Sequence, residues 1–123
     1  MNINTKTNNI LLTPQITSHL DKRLEKISRF VGEDSSIVCD VGLSRTTDHH
    51  NKGDVFLAEI HIVGHKHNVF ASSEKSDLYS SIDEATDETL HSLTSSRKKY
   101  IAMARRGGAK VKDMLKGMWP RRS

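Results

Sequence analysis

The sequence predicts a two-layer α+β domain, with both helices on one face of a four-stranded sheet. Three observations lead there. Two long stretches carry a single apolar stripe at helical spacing. Four shorter stretches alternate or run apolar, as strands do. Their order along the chain is strand, helix, three strands, helix, a β-α-β-β-β-α arrangement. At 123 residues there is room for one domain and a tail. With 35% hydrophobic and only 5% aromatic residues, the expected core is modest and aliphatic.

The first strand is predicted over residues 2 to 8. Ile3, Thr5 and Thr7 fall on one side, and Asn2, Asn4, Lys6 and Asn8 on the other. Thr13-Pro14 then reads as an N-cap followed by proline at the first helical position, where the missing N–H costs nothing. Ile16, Leu20, Leu24, Ile27 and Val31 recur at steps of three and four, giving a helix of about five turns that Gly32 is placed to end. A helical connection requires a crossover, so the first strand is expected to lie parallel to the second.

Two apolar strands follow, Ile37 to Leu43 and Val55 to Val63, joined by an expected polar linker, Ser44 to Asp54. Gly64-His65 reads as a tight turn into a fourth strand, Lys66 to Ser72. Ser76 is the expected N-cap of the second helix, with Asp77 in its first turn. Leu78, Ile82, Ala85, Thr89, Leu93 and Ser96 share one face of that helix, and Gly107-Gly108 is the latest point at which it is expected to stop.

Charge is distributed unevenly. Arg97 to Ser123 holds 10 Lys/Arg and one acid, a balance of +9, whereas the preceding 96 residues hold nine Lys/Arg and 14 acids, a balance of −5. A polyanion partner gives such a tail a purpose, because each base that neutralises a phosphate releases condensed counterions. Within the tail, Val111, Met114, Leu115 and Met118 sit at helical spacing among Lys110, Lys112 and Lys116, beside Trp119. A segment of about ten residues is too short for a stable isolated helix, so ordering on a partner is expected. On the first helix, at 100° per residue from Lys22, Lys26 falls near 40° and Arg29 near −20°. The apolar stripe lies near 140–200°, and Arg23 sits at the border near 100°. Lys22, Lys26 and Arg29 thus form a ridge opposite the core, with Asp21 and Glu25 beside it.

Other chemistry finds little support. The seven histidines have neither cysteine partners nor an HExxH helix, so no metal site is expected. The acids Asp83, Glu84, Asp87 and Glu88 read as a solvated helix face, and Cys39 as a buried thiol. There is no glycine-rich phosphate loop, and neither catalysis nor a cofactor is expected. No apolar run is long enough to cross a bilayer, and Met1 to Lys6 lack the order of a secretory signal; a cytoplasmic protein without a membrane role is the expectation.

Two segments resemble a known family. Thr13-Pro14, followed by Asp21-Lys22-Arg23-Leu24-Glu25-Lys26-Ile27-Ser28-Arg29-Phe30, resembles the first helix of the ribosome hibernation-promoting factors and ribosome-associated inhibitors. Phe70 to Asp83, with its Asp77-Leu78-Tyr79-Ser80-Ser81-Ile82-Asp83 helix start, resembles that family's entry into the second helix. The resemblance covers about residues 1 to 99. It implies a fold similar to double-stranded-RNA-binding domains and a non-enzymatic role. Members sit on the small ribosomal subunit, in the channel used by messenger and transfer RNA, where they block translation and stabilise idle ribosomes under stress.

The partners so implied are 16S-type ribosomal RNA and neighbouring ribosomal proteins, with a monomer off the ribosome. The division expected is a ribosome-binding domain, 1–100, and a basic C-terminal extension, 101–123. Expected RNA contacts are Lys22, Arg23, Lys26 and Arg29 on the first helix, Lys75 at the entry to the second, and Arg97, Lys98, Lys99, Arg105, Arg106, Lys110, Lys112 and Lys116 beyond. Arg23, Lys26 and Arg29 match the family's basic positions and are expected to be reversible in charge without harm to the fold. The second helix departs from the family pattern, with Glu88, His91 and Ser95 where members commonly carry Lys, Arg and Lys. An alternative reading is a protein-interaction module on the same fold, with a basic tail.

Overall fold

The computed structural model describes residues 1–48 and 53–105, with side chains over 1–46 and 53–98. The elements are β1 (Asn2–Asn8), α1 (Pro14–Val31), β2 (Val38–Asp48), β3 (Gly53–Gly64), β4 (His67–Lys75) and α2 (Leu78–Arg105). The sheet order is β1-β2-β3-β4. β1 runs parallel to β2, as the crossover through α1 requires, and the other two pairings are antiparallel.

Period-two alternation sends Ile37, Cys39, Val41 and Leu43 to the same face as Ala58, Ile60, Ile62, Val69 and Ala71, all of them buried. Leu20, Leu24 and Ile27 from α1 and Leu78, Ile82, Ala85 and Leu93 from α2 close over that face. Each of the leucine, isoleucine and valine side chains among them, fully buried, contributes roughly 1.5–3 kcal/mol. The opposite face of the sheet stays open, and Phe70 stands on it 58% exposed.

The helix ends follow local chemistry. Thr13 Oγ1 accepts the Ile16 N–H at 3.2 Å, Pro14 occupies the first turn, and the Gly32 N–H returns to the Ser28 carbonyl at 3.0 Å with φ of 81°. The expected cap of α2 is corrected by one residue. Asp77, not Ser76, accepts from both the N–H and the hydroxyl of Ser80, at 3.1 and 2.9 Å. Its carboxylate reaches the third helical N–H and opposes the positive end of the helix dipole.

The expected linker Ser44 to Asp54 is also corrected. Much of it is hairpin ladder, with Ser44 opposite Leu57, Thr46 opposite Val55 and Asp48 opposite Gly53. These strand ends are polar on both faces and so lack the apolar alternation that reveals a strand. Residues 49–52, including His49 and His50, lie outside the described residues, as do 106–123 with Gly107-Gly108 and the amphipathic tail face. The turn into β4 uses His65 and Lys66, with φ of 47° and 68°, and pairs Gly64 with His67. Both central residues therefore have positive φ, as in the type I′ turn that suits a two-residue hairpin.

The two helices lie side by side and run in the same direction. His19 and Arg23 meet the first turns of α2 at Tyr79, Asp83 and Asp87, and Phe30 meets Arg97 three turns further on. On the side away from the sheet, Lys22, Lys26 and Arg29 of α1 and Asp87, Glu88 and His91 of α2 are exposed.

Candidate nucleic-acid interface

The ridge of α1 forms as its spacing dictates. Lys22 and Lys26 are exposed and have no ion-pair partner among the described residues. Arg29 pairs with Glu25 one turn earlier, with both side chains largely in solvent. An exposed i,i+4 pair is worth about 0.3–0.5 kcal/mol, so Arg29 remains available to a stronger anion.

Arg23 behaves differently. Its side chain is only 24% exposed and faces α2 rather than solvent. Nε lies 3.1 Å from the Asp83 carboxylate and donates to Thr86 Oγ1 at 3.3 Å. Nη2 donates to the Asp87 carboxylate at 2.7 Å and to the Asp83 carbonyl at 3.2 Å. Asp83 is shared with His19, whose Nε2 sits 2.7 Å away and whose ring packs edge-on to Tyr79. Arg23 is therefore a tie between the helices, and charge reversal there would set a glutamate against two aspartates. The expectation that Arg23, Lys26 and Arg29 are equally reversible without harm to the fold is corrected by these contacts.

Lys75 is similarly engaged. Its ammonium lies 2.8 Å from Glu84, and Ser73 donates to the other oxygen of that carboxylate at 3.1 Å. These two donors hold the Glu84 carboxyl below the usual carboxylate range. At the far end of the layer Arg97 and Lys98 have no ion-pair partner among the described residues. Arg97 is exposed, its guanidinium 5.2 Å from the centroid of the Phe30 ring, which brings it to the last turn of α1, where Arg29 also lies. Lys98 is exposed beside it. The side chains of Lys99 and Arg105, and all of Arg106, Lys110, Lys112 and Lys116, lie outside those described.

The helix layer is consequently divided. Its first half carries Asp83, Glu84, Asp87 and Glu88, with Arg23 and Lys75 already paired to three of them. Its last turns carry Lys26, Arg29, Arg97 and Lys98. The sequence places Asp83 and Asp87 four apart on one helical face, but only the crossing of the helices shows that Arg23 fills the gap between them.

Among the described residues no three His, Cys, Asp or Glu side chains converge as metal ligands would. His61 bonds Asn68 at 2.8 Å and packs edge-on to Phe70, and His65 lies 3.6 Å from Asp34. Cys39 is buried, and burial pushes its thiol up to about 11. No helix of the described residues is long and apolar enough to cross a membrane.

Residues 3–100 match the family model described as sigma 54 modulation protein / S30EA ribosomal protein. The chain belongs to this family. The N-terminal domain of Thermus thermophilus Protein Y is similar to it, at 26% identity and a TM-score of 0.60, over 76% of this chain and 96% of that one. A ribosomal subunit interface protein from Coxiella burnetii shares the fold at 13% identity and a TM-score of 0.59, over 80% of this chain and 99% of that one. No curated protein sequence matches this chain. The S30EA fold is the β-α-β-β-β-α domain described above, and membership agrees with the resemblance carried by the two helix starts.

Proposed function

We propose that this S30EA-family chain binds the small ribosomal subunit, occupies the channel used by messenger and transfer RNA, and so inhibits translation and stabilises idle ribosomes. The observation that carries this reading is the family match over residues 3–100, on a fold whose helix layer presents a row of exposed bases to solvent. Ribosomal RNA offers dense phosphate, and Lys22, Lys26, Arg29, Arg97 and Lys98 are positioned to neutralise it from one side of the domain. The domain occupies space and charge that messenger and transfer RNA need, so no bond-making step is required and the role is not enzymatic.

The segment 101–123 acts as a basic extension of this domain. Lys99, Arg105, Arg106, Lys110, Lys112 and Lys116 add phosphate contacts along the channel, and Trp119 stacks on a base or seats in a groove. The chain is a monomer in the cytoplasm until it meets a subunit. A second reading, a protein-interaction module, draws support from the acidic first half of α2. It predicts binding to a protein partner for which messenger and transfer RNA do not compete.

The test is competition on purified small subunits. Bound protein is expected to be displaced by messenger RNA together with initiator transfer RNA, and to reduce their binding in turn. Simultaneous, independent binding of all three would overturn the channel assignment.

A further inference from the structure

We propose that Asp87 and Glu84 act as built-in counter-ions that withhold Arg23 and Lys75 from RNA phosphate, so that among the described side chains of the helix layer Lys22, Lys26, Arg29, Arg97 and Lys98 form the phosphate-binding face. The inference rests on the reading of the chain as an RNA-binding factor and specifies which of its bases work.

Arg23 and Lys75 differ from the other bases in what already holds them. The Arg23 side chain is three-quarters covered, and its guanidinium meets two carboxylates, a hydroxyl and a carbonyl of α2. The Lys75 ammonium meets a carboxylate that Ser73 also orients. For either base to take a phosphate, an existing ion pair must be broken and a carboxylate left facing the incoming anion. That is a like-charge penalty added to the lost pair. Lys22, Lys26 and Lys98 face no such cost, and Arg29 gives up only an exposed pair within its own helix.

The two aspartates on Arg23 are not equivalent. Asp83 also accepts from His19 and is 43% exposed, so it is fixed as part of the helix–helix contact. Asp87 is 71% exposed, and among the described residues its only ion pair is with Arg23. Asp87 is thus the group whose removal uncovers Arg23 while Asp83 keeps it in place. Glu84 plays the corresponding part for Lys75. These carboxylates set affinity below what the number of bases would give, and they fix which end of the helix layer meets RNA.

The test uses the full chain with Asp87→Asn and Glu84→Gln, and Glu88→Gln as a control. Glu88 is an exposed acid of the same helix with no ion pair among the described residues, so its neutralisation reports the through-space effect of one lost charge. Binding to purified small subunits is measured across a salt series. Asp87→Asn is expected to tighten binding more than Glu88→Gln and to steepen the plot of log affinity against log salt by about one. The excess gain should vanish when Arg23→Gln is added. Glu84→Gln should behave alike, losing its excess with Lys75→Gln.

A gain no larger than that of Glu88→Gln, or one that persists without the base, overturns the proposal. If the wild-type chain fails to bind subunits, the functional reading falls by itself. The salt needed to elute the same variants from immobilised heparin still decides whether Asp87 and Glu84 withhold their bases from a polyanion: later elution of Asp87→Asn than of Glu88→Gln supports it, and equal elution overturns it.

Discussion

Gly64 passes so close to Ile37 that a β carbon added to it would sit 2.7 Å from the Ile37 Cα and 2.5 Å from the Ser36 carbonyl oxygen. The neighbouring atoms are backbone and cannot swing aside. Gly64 also holds φ of 135°, a conformation that side chains other than glycine rarely adopt. Close approach and strained backbone therefore act together where β3 turns toward β4. Gly64→Ala is expected to lower stability by about 2–4 kcal/mol, seen as a lower midpoint in urea unfolding. An unchanged midpoint would show that β2 and β3 can separate at this end at no cost.

The adjoining turn offers the opposite result. Lys66 has φ of 68° in a type I′ geometry that favours glycine at its position. It has no ion pair to lose among the described residues. Lys66→Gly should raise stability by about 0.5–1 kcal/mol, the left-handed strain of a lysine outweighing the added chain freedom. Thermal unfolding at fixed pH measures this, and a lower melting temperature would contradict it.

Cys39 gives a pH dependence with a definite sign. Its thiol is raised from 9.0 to about 11, first by burial and then by the neighbouring Asp40 carboxylate. Below pH 9.0 both folded and unfolded chains hold the proton, and the group leaves stability unchanged. Between pH 9.0 and about 11 the unfolded chain has lost a proton that the folded chain keeps, so stability falls as pH rises. Cys39→Ala, less stable at neutral pH through lost packing, should show a shallower decline over that window. A decline as steep as that of the wild-type chain would place its cause elsewhere.

Much of the fold is legible in the residues because burial leaves a periodic mark. The stripe Leu20, Leu24, Ile27 and the alternation Ile37, Cys39, Val41, Leu43 are core in the structure as their spacing demands. Thr13-Pro14 and Gly32 bound α1 because capping is local chemistry. Legibility ends where neither burial nor local bonding is at stake. The polar ends of the β2–β3 hairpin carry no alternation, so Ser44 to Asp48 read as a linker.

The helix layer is legible only in part, for a different reason. Position on a wheel shows that Lys22, Lys26 and Arg29 oppose the core, and they do. It cannot show that Arg23, at the border, meets Asp83 and Asp87, since that depends on how two helices 60 residues apart are laid together. The same limit hides the contact of Arg97 with Phe30.

The central claim is that the exposed ridge of α1 binds ribosomal RNA through phosphate. It is tested most directly by co-sedimentation with purified small subunits across a salt series, comparing the wild-type chain with the triple variant Lys22→Glu, Lys26→Glu, Arg29→Glu. Arg23 is left intact, so the helix–helix tie is preserved and the variant should unfold at a midpoint close to that of the wild-type chain. The account predicts that wild-type protein pellets with subunits at low salt and is released as salt rises, with log affinity falling linearly in log salt. It predicts that the triple variant stays in the supernatant throughout. A folded triple variant that co-sediments with wild-type affinity and the same salt slope would contradict it.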